Sequence, residues 1–229
     1  MHRLVGANVK DRELVRDRRE RLVRAALVVF LRKGYHDATV REIGREAGFT
    51  QGTIYNYVRS KSDILYLVCD EVVRAYQDAV AHAVEGIRDP GARLSRALRA
   101  VVESMYAHQD AILLLYHESH ALDRKSLHAI LAPVGQFVET FEGILTAAAR
   151  ARGLTLRHPR LLANIVTFLP TIVALRRWDL RGRVGKEELI RGVTEFMLRG
   201  LGAVVAAADG DGARRAERSA PRRVAASRR

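Results

Sequence analysis

Cysteine is nearly missing from this chain of 229 residues: Cys69 is the only one. A lone thiol excludes a disulfide within the chain and fits a reducing compartment. Because Cys69 sits in an apolar helical run, it reads as a buried structural thiol and not as a redox switch. Long apolar runs are missing too. The opening MHRLVGANVKDREL holds no stretch suited to a secretory signal, and no later segment reaches the roughly 20 apolar residues of a membrane span. A soluble, cytoplasmic protein without a membrane partner is expected.

Catalytic signatures are lacking as well. There is no phosphate-cradling glycine loop, nucleophile elbow or zinc-ligand pair, so the chain is not expected to be an enzyme, and no catalytic residue, metal or cofactor is assigned. The nearest approach is Tyr116-His117-Glu118-Ser119-His120, where His117 and His120 can share a helix face. Two histidines leave a metal site short of ligands, so the cluster reads as polar lining of a ligand pocket. A metal-dependent enzyme using His117, Glu118 and His120 is the least favoured alternative. Acidic residues are scarce: 26 Asp and Glu stand against 39 Lys and Arg, giving a net charge of +13. That balance favours a polyanionic partner, although arginines on solvated helix faces contribute part of it.

What the chain does contain is a compact device between Thr39 and Lys61. Thr39 and Glu42 have the spacing of a capping box, and Val40, Ile43 and Ala47 follow on one apolar stripe. Gly48 supplies a helix stop, and Thr50 caps a second helix predicted over Gln51 to Val58, with Ile54 and Val58 inward. Gln51, Gly52, Thr53, Asn56 and Tyr57 are left on the outer face or its flank. Two short capped helices across a glycine turn form a helix-turn-helix, whose second helix enters the major groove. Gln and Asn suit adenine there, and Arg41 on the preceding helix suits guanine. Ser60 caps the next helix, where Lys61 adds positive charge for a phosphate.

The remaining periodicity is helical throughout. A first helix over Lys10 to Lys33 buries Leu22, Ala25, Ala26, Val29 and Phe30, after an arm over Met1 to Val9. A fourth helix from Ser60 to about Gly86 is long enough to join two domains. Further helices are predicted over Ala92–Ala107, Asp110–Leu122, Asp123 to before Gly153 with a bend at Pro133, and Pro159–Arg177 with a break at Pro170. Trp178 to Gly185 reads as a loop. The ninth helix, Lys186 to Ala207, carries more apolar surface than one face needs, so something must cover it.

The run from Leu22 to Leu65 resembles the DNA-binding domain of the TetR family of one-component transcriptional regulators. The likeness is carried by Ala25-Ala26, Phe30, Gly34-Tyr35, Thr39, Ile43, Ala47-Gly48, Gly52-Thr53, Tyr55 and Ser60-Lys61. Gly44, Phe49 and Val58 depart from the family's usual residues. The resemblance implies that Thr39, Thr53, Tyr55 and Lys61 hold phosphates, and that Arg41, Gln51, Gly52, Asn56 and Tyr57 face bases or the groove wall. It also implies a homodimer through the last two helices, a double-stranded DNA operator, and a small-molecule effector bound among the C-terminal helices. Pocket candidates are Met105, Tyr106, Tyr116, His117, Phe137, Phe141, Asn164, Thr167 and Phe168. Arg176 to Leu201 is similar to the end of members that answer to acyl-CoA or related lipid-like effectors.

The expected fold is therefore all-α with about nine helices: an arm and three-helix DNA-binding domain (1–59), a larger ligand-binding and dimerisation domain (60–208) reached through the long fourth helix, and a disordered basic tail (209–229). The function expected is a ligand-responsive repressor that binds a palindromic operator and is released by a small, largely apolar molecule. The alternative from another class is a small-molecule sensor or carrier that does not bind a specific operator.

Overall fold

The structure, a computed structural model, describes residues 12–219, with side chains from residue 14 to 202 except that of Gln51. The predicted arm and the last part of the basic tail lie outside the described residues. All regular structure among the described residues is helical. In order come α1 (Arg12–Lys33), α2 (Val40–Glu46), α3 (Gln51–Tyr55), α4 (Lys61–Val84), α5 (Pro90–Ala107) and α6 (Gln109–Glu118). A 3-10 turn (Ser119–Ala121) leads to α7 (Arg124–Arg150) and α8 (Pro159–Phe168). A second 3-10 turn (Leu169–Thr171) then precedes α9 (Ile172–Leu175), α10 (Arg177–Leu180) and α11 (Lys186–Ser219).

Local chemistry explains most boundaries. Thr39, Ser60, Asp89 and Asp123 cap α2, α4, α5 and α7 through side-chain acceptors, and Pro90 and Pro159 stand where a missing N–H costs nothing. Gly34 and Gly48 take φ of 81° and 69°, the left-handed conformation needed to leave α1 and α2 abruptly.

Several boundaries differ from the sequence expectation. α3 stops at Tyr55 and not Val58, because the amides of Asn56 and Tyr57 reach back only three residues, to Thr53 O at 3.2 Å and Ile54 O at 3.0 Å. Pro170 converts the predicted kink into a 3-10 turn, and the segment expected as a loop from Trp178 begins within α10, which Arg177 anchors to Asp110 of α6. α11 continues to Ser219, past the predicted end at Ala207 and into the first part of the tail expected to be disordered.

The core is continuous from Leu22 of α1 to Leu201 of α11. α4 is its axis. Every residue from Ile64 to Asp70 is buried, so this part of the helix is enclosed on all sides by the N-terminal helices and the larger bundle. Cys69, at 0% exposure, lies within that enclosure, and burial pushes its thiol up to about 12.

Candidate nucleic-acid interface and effector cavity

α2 and α3 are held from below by α1. Lys33 Nζ donates to Glu42 Oε1 at 2.6 Å, while Glu42 Oε2 accepts from the Thr39 amide at 3.0 Å and the Thr39 hydroxyl at 2.9 Å. The Lys33 contact and then those from Thr39 hold the Glu42 carboxyl down to about 2. Arg21 Nη2 donates to Ala47 O at 2.9 Å at the end of α2, and its guanidinium lies 5.2 Å from the Phe49 ring centre. Arg18 Nη1 donates to the Tyr57 hydroxyl at 3.0 Å. These arginines orient the two-helix unit, a use of charge that the sequence reading did not find. The three-residue interval between Arg18 and Arg21, on one face of the first helix, is a signal from which it could have been read.

Arg41, Gly52, Tyr55 and Asn56 are exposed on the outer side of α2 and α3, with Tyr55 at 50%, and Thr53 is half-buried. Gln51 opens α3, but its side chain lies outside the described residues. Tyr57 is the correction: at 2% exposure it is a core residue, stacked on Phe49 at 6.1 Å, and it does not present its ring to a groove. It stands three residues after the buried Ile54, and so next to the inner face. The phosphate candidates are partly occupied within the chain. The Thr39 hydroxyl donates to Glu42, Thr53 Oγ1 lies 2.8 Å from Thr50 Oγ1, and Lys61 Nζ donates to Tyr35 O at 2.7 Å and His36 O at 2.6 Å. Lys61 thus keeps one of its three N–H groups for an external anion.

A cavity of about 160 Å³ opens among α4, α5, α6, α7 and α8. Of the nine predicted pocket residues, Met105, Tyr116, Phe137, Asn164, Thr167 and Phe168 line it. Tyr106 lies beneath Lys186, whose ammonium is 5.7 Å from its ring centre; His117 is exposed; and Phe141, at 0% exposure, packs behind Phe137 at 5.1 Å. These three are corrections. Sequence reading missed Val72, Val73 and Tyr76, because it sought the walls among the helices that follow α4. The lining is apolar, with polar atoms gathered at Tyr116, Asn164, Thr167 and Thr171. Burial pushes the phenols of Tyr76 and Tyr116 up, so both remain hydrogen-bond donors.

A capped helix-turn-helix with an exposed polar face, joined by a buried helix to a bundle containing an apolar cavity, defines a DNA-binding protein of the helical one-component type. The comparisons agree. Residues 22–66 match the bacterial regulatory proteins of the tetR family, and residues 88–201 match the tetracyclin repressor-like C-terminal domain. The chain belongs to the TetR family.

A curated relative, the HTH-type transcriptional regulator HbdR of Aromatoleum sp. (strain CIB), is 36% identical over 125 residues, 54% of this chain and 55% of its own. The chain thus spans about half the length of that relative. Among solved structures, a regulatory protein of the tetR family from Rhodococcus RHA1 superposes with a TM-score of 0.69 at 22% identity, covering 80% of this chain and 95% of the other. AibR in complex with isovaleryl coenzyme A and operator DNA gives 0.65 at 18% identity, over 78% and 97%. At these identities the structural likeness establishes the fold.

Proposed function

We propose that the chain is a ligand-responsive transcriptional repressor that binds a palindromic operator as a homodimer and is released by a small, largely apolar effector. The observation that carries the DNA-binding part is the outer face of α3, where Gly52, Tyr55 and Asn56 stand exposed beside Arg41. A Cβ on Gly52 would meet nothing within 4 Å, so no contact among the described residues requires a glycine there. Close approach of a groove wall does. Arg41 and Asn56 are assigned to base edges, with Gln51 beside them, while Thr53, Tyr55, Thr39 and the remaining N–H of Lys61 hold phosphates.

The dimer is supported by an apolar stripe: Leu161, Ile165 and Phe168 of α8 are 57%, 48% and 58% exposed, and Phe196 of α11 is 68% exposed. Two copies related by a two-fold axis bury these faces and set two recognition helices about 34–36 Å apart, one DNA turn. The effector reading rests on the cavity, whose volume of about 160 Å³ is close to that of cavities of about 150 Å³ that accept benzene. It suits the short branched acyl end of a larger molecule. Isovaleryl coenzyme A, which the structurally similar AibR holds in complex with operator DNA, has such an end.

Fluorescence anisotropy with the protein's own upstream DNA tests the proposal. The expected result is binding at least about a thousandfold tighter than to random DNA at moderate salt, weakened by a short-chain acyl-CoA. Equal affinity for the two DNAs would sink the repressor and leave a sensor.

A further inference from the structure

The histidine cluster of α6 acquires an unforeseen third member from the other end of the fold. His36, in the turn between α1 and α2, meets Glu118 at the end of α6 and His120 in the 3-10 turn that follows. One ligand atom from each lies within 4.8 Å of the others. His36 Nε2 is 3.6 Å from Glu118 Oε2, and the His36 and His120 ring centres are 6.4 Å apart. His117 is not part of the group.

Two observations make this more than a meeting of polar groups. Glu118 Oε2 is buried and has no hydrogen-bond partner in the described structure, although a carboxylate oxygen removed from water requires one. The His36 backbone is also fixed, since Lys61 Nζ donates to its carbonyl oxygen at 2.6 Å and to that of Tyr35 at 2.7 Å. The ring is thus carried on a braced turn. Imidazole and carboxylate ligands at 2.0–2.2 Å from a tetrahedral ion are separated by about 3.3–3.6 Å, which the His36–Glu118 pair meets before any side chain moves. His120 closes the set by rotating toward them from an exposed position.

We propose that His36, Glu118 and His120 form a binding site for a divalent transition-metal ion of the zinc type. Two imidazoles and a carboxylate are the ligands such an ion takes, with water in the fourth position. The ion gives the orphaned Glu118 oxygen its partner. Because His36 lies three residues before Thr39, the N-cap of α2, while Glu118 and His120 follow Tyr116 of the cavity wall, the ion ties the helix-turn-helix to the effector-binding bundle.

The test uses the full chain, dialysed against excess Zn²⁺ and then against buffer, with metal content, calorimetric affinity and thermal midpoint measured. One zinc per chain is expected, with a rise in midpoint. His36→Ala and His120→Ala each weaken zinc affinity about tenfold or more and abolish that rise. Both positions are exposed, so both variants retain the fold. His117→Ala binds as the parent does. The proposal is overturned by no stoichiometric zinc, by affinity unchanged in the His36 and His120 variants, or by loss of binding in the His117 variant. Replacing Zn²⁺ with Co²⁺ gives a second readout: visible d–d bands in the parent that disappear in His36→Ala.

Discussion

Ile54 Cδ1 fills the space that a side chain on Gly44 would need: a Cβ there would lie 3.1 Å from that methyl and 3.5 Å from Ile54 Cβ and Cγ2. The contact sets how closely α2 and α3 approach. Alanine at position 44 gains about 1 kcal/mol of helix propensity, but it pushes on a side chain with 0% exposure. The two effects separate in a double-mutant cycle. In an Ile54→Val background, which removes Cδ1, Gly44→Ala is expected to be more favourable by about 0.5–1 kcal/mol than in the parent. Strict additivity in urea unfolding would mean that the two residues do not compete for space.

Gly52→Ala isolates the reading face from the fold. The site is open and its backbone helical, so a methyl should leave stability unchanged or raise it by about 0.5 kcal/mol. Operator affinity is expected to fall, because the added carbon stands between α3 and the groove wall. Anisotropy and thermal unfolding together check this. Unchanged DNA affinity would show that no groove wall approaches position 52.

The helix-turn-helix was largely legible because its determinants are local. A capping box needs only Thr39 and Glu42, the turn needs Gly48, and the inner face needs Ile43, Ile54 and Val58 at helical intervals. Tyr57 was misjudged because it stands on the flank, three residues after the buried Ile54, where Phe49 and Arg18 rather than periodicity decide that the ring packs inward. The cavity was legible as a region and not as a list. Aromatic residues on adjacent helices are equally able to line it, as Phe137 does, or to pack behind it, as Phe141 does. His36 could not be placed beside Glu118 at all, since nothing local encodes a contact between distant segments.

The Glu42 cap carries a pH signature. Its carboxyl is lowered from 4.5 to about 2, first by the hydrogen bond from Lys33 and then by those from Thr39. A depressed folded value means that the contribution is complete above about pH 5, where the unfolded carboxyl is also ionised, and is lost as pH falls toward 2. Glu42→Gln should therefore be less stable than the parent at pH 6, with the gap closing toward pH 2.5. A gap independent of pH would assign the effect to shape and not to charge. Thr39→Ala, which removes the N-cap acceptor, should cost about 1 kcal/mol at neutral pH.

The cavity is small enough to be closed by one side chain. Val134 is a half-buried part of its wall, and Val134→Phe directs a ring into a space of about 160 Å³. Titration with a short-chain acyl-CoA should show affinity reduced about tenfold or more, while operator binding without effector is retained. If the effector still releases DNA at the parent's concentration, the recognised group binds elsewhere.

Two tyrosines two positions apart should separate stability from DNA contact. The Tyr57 hydroxyl accepts a hydrogen bond from Arg18 at 3.0 Å inside the domain, whereas Tyr55 is 50% exposed. Tyr57→Phe leaves a part-buried guanidinium without that acceptor and should lower stability by about 1–2 kcal/mol. Its operator affinity, measured well below the unfolding temperature, should stay close to the parent's. Tyr55→Phe should leave stability within about 0.5 kcal/mol and weaken binding across specific and random DNA alike, because a phosphate contact positions the protein without reading sequence. The reverse pattern, with Tyr57→Phe impairing DNA binding at unchanged stability, would return Tyr57 to the reading face and require α3 to extend toward Val58 on DNA.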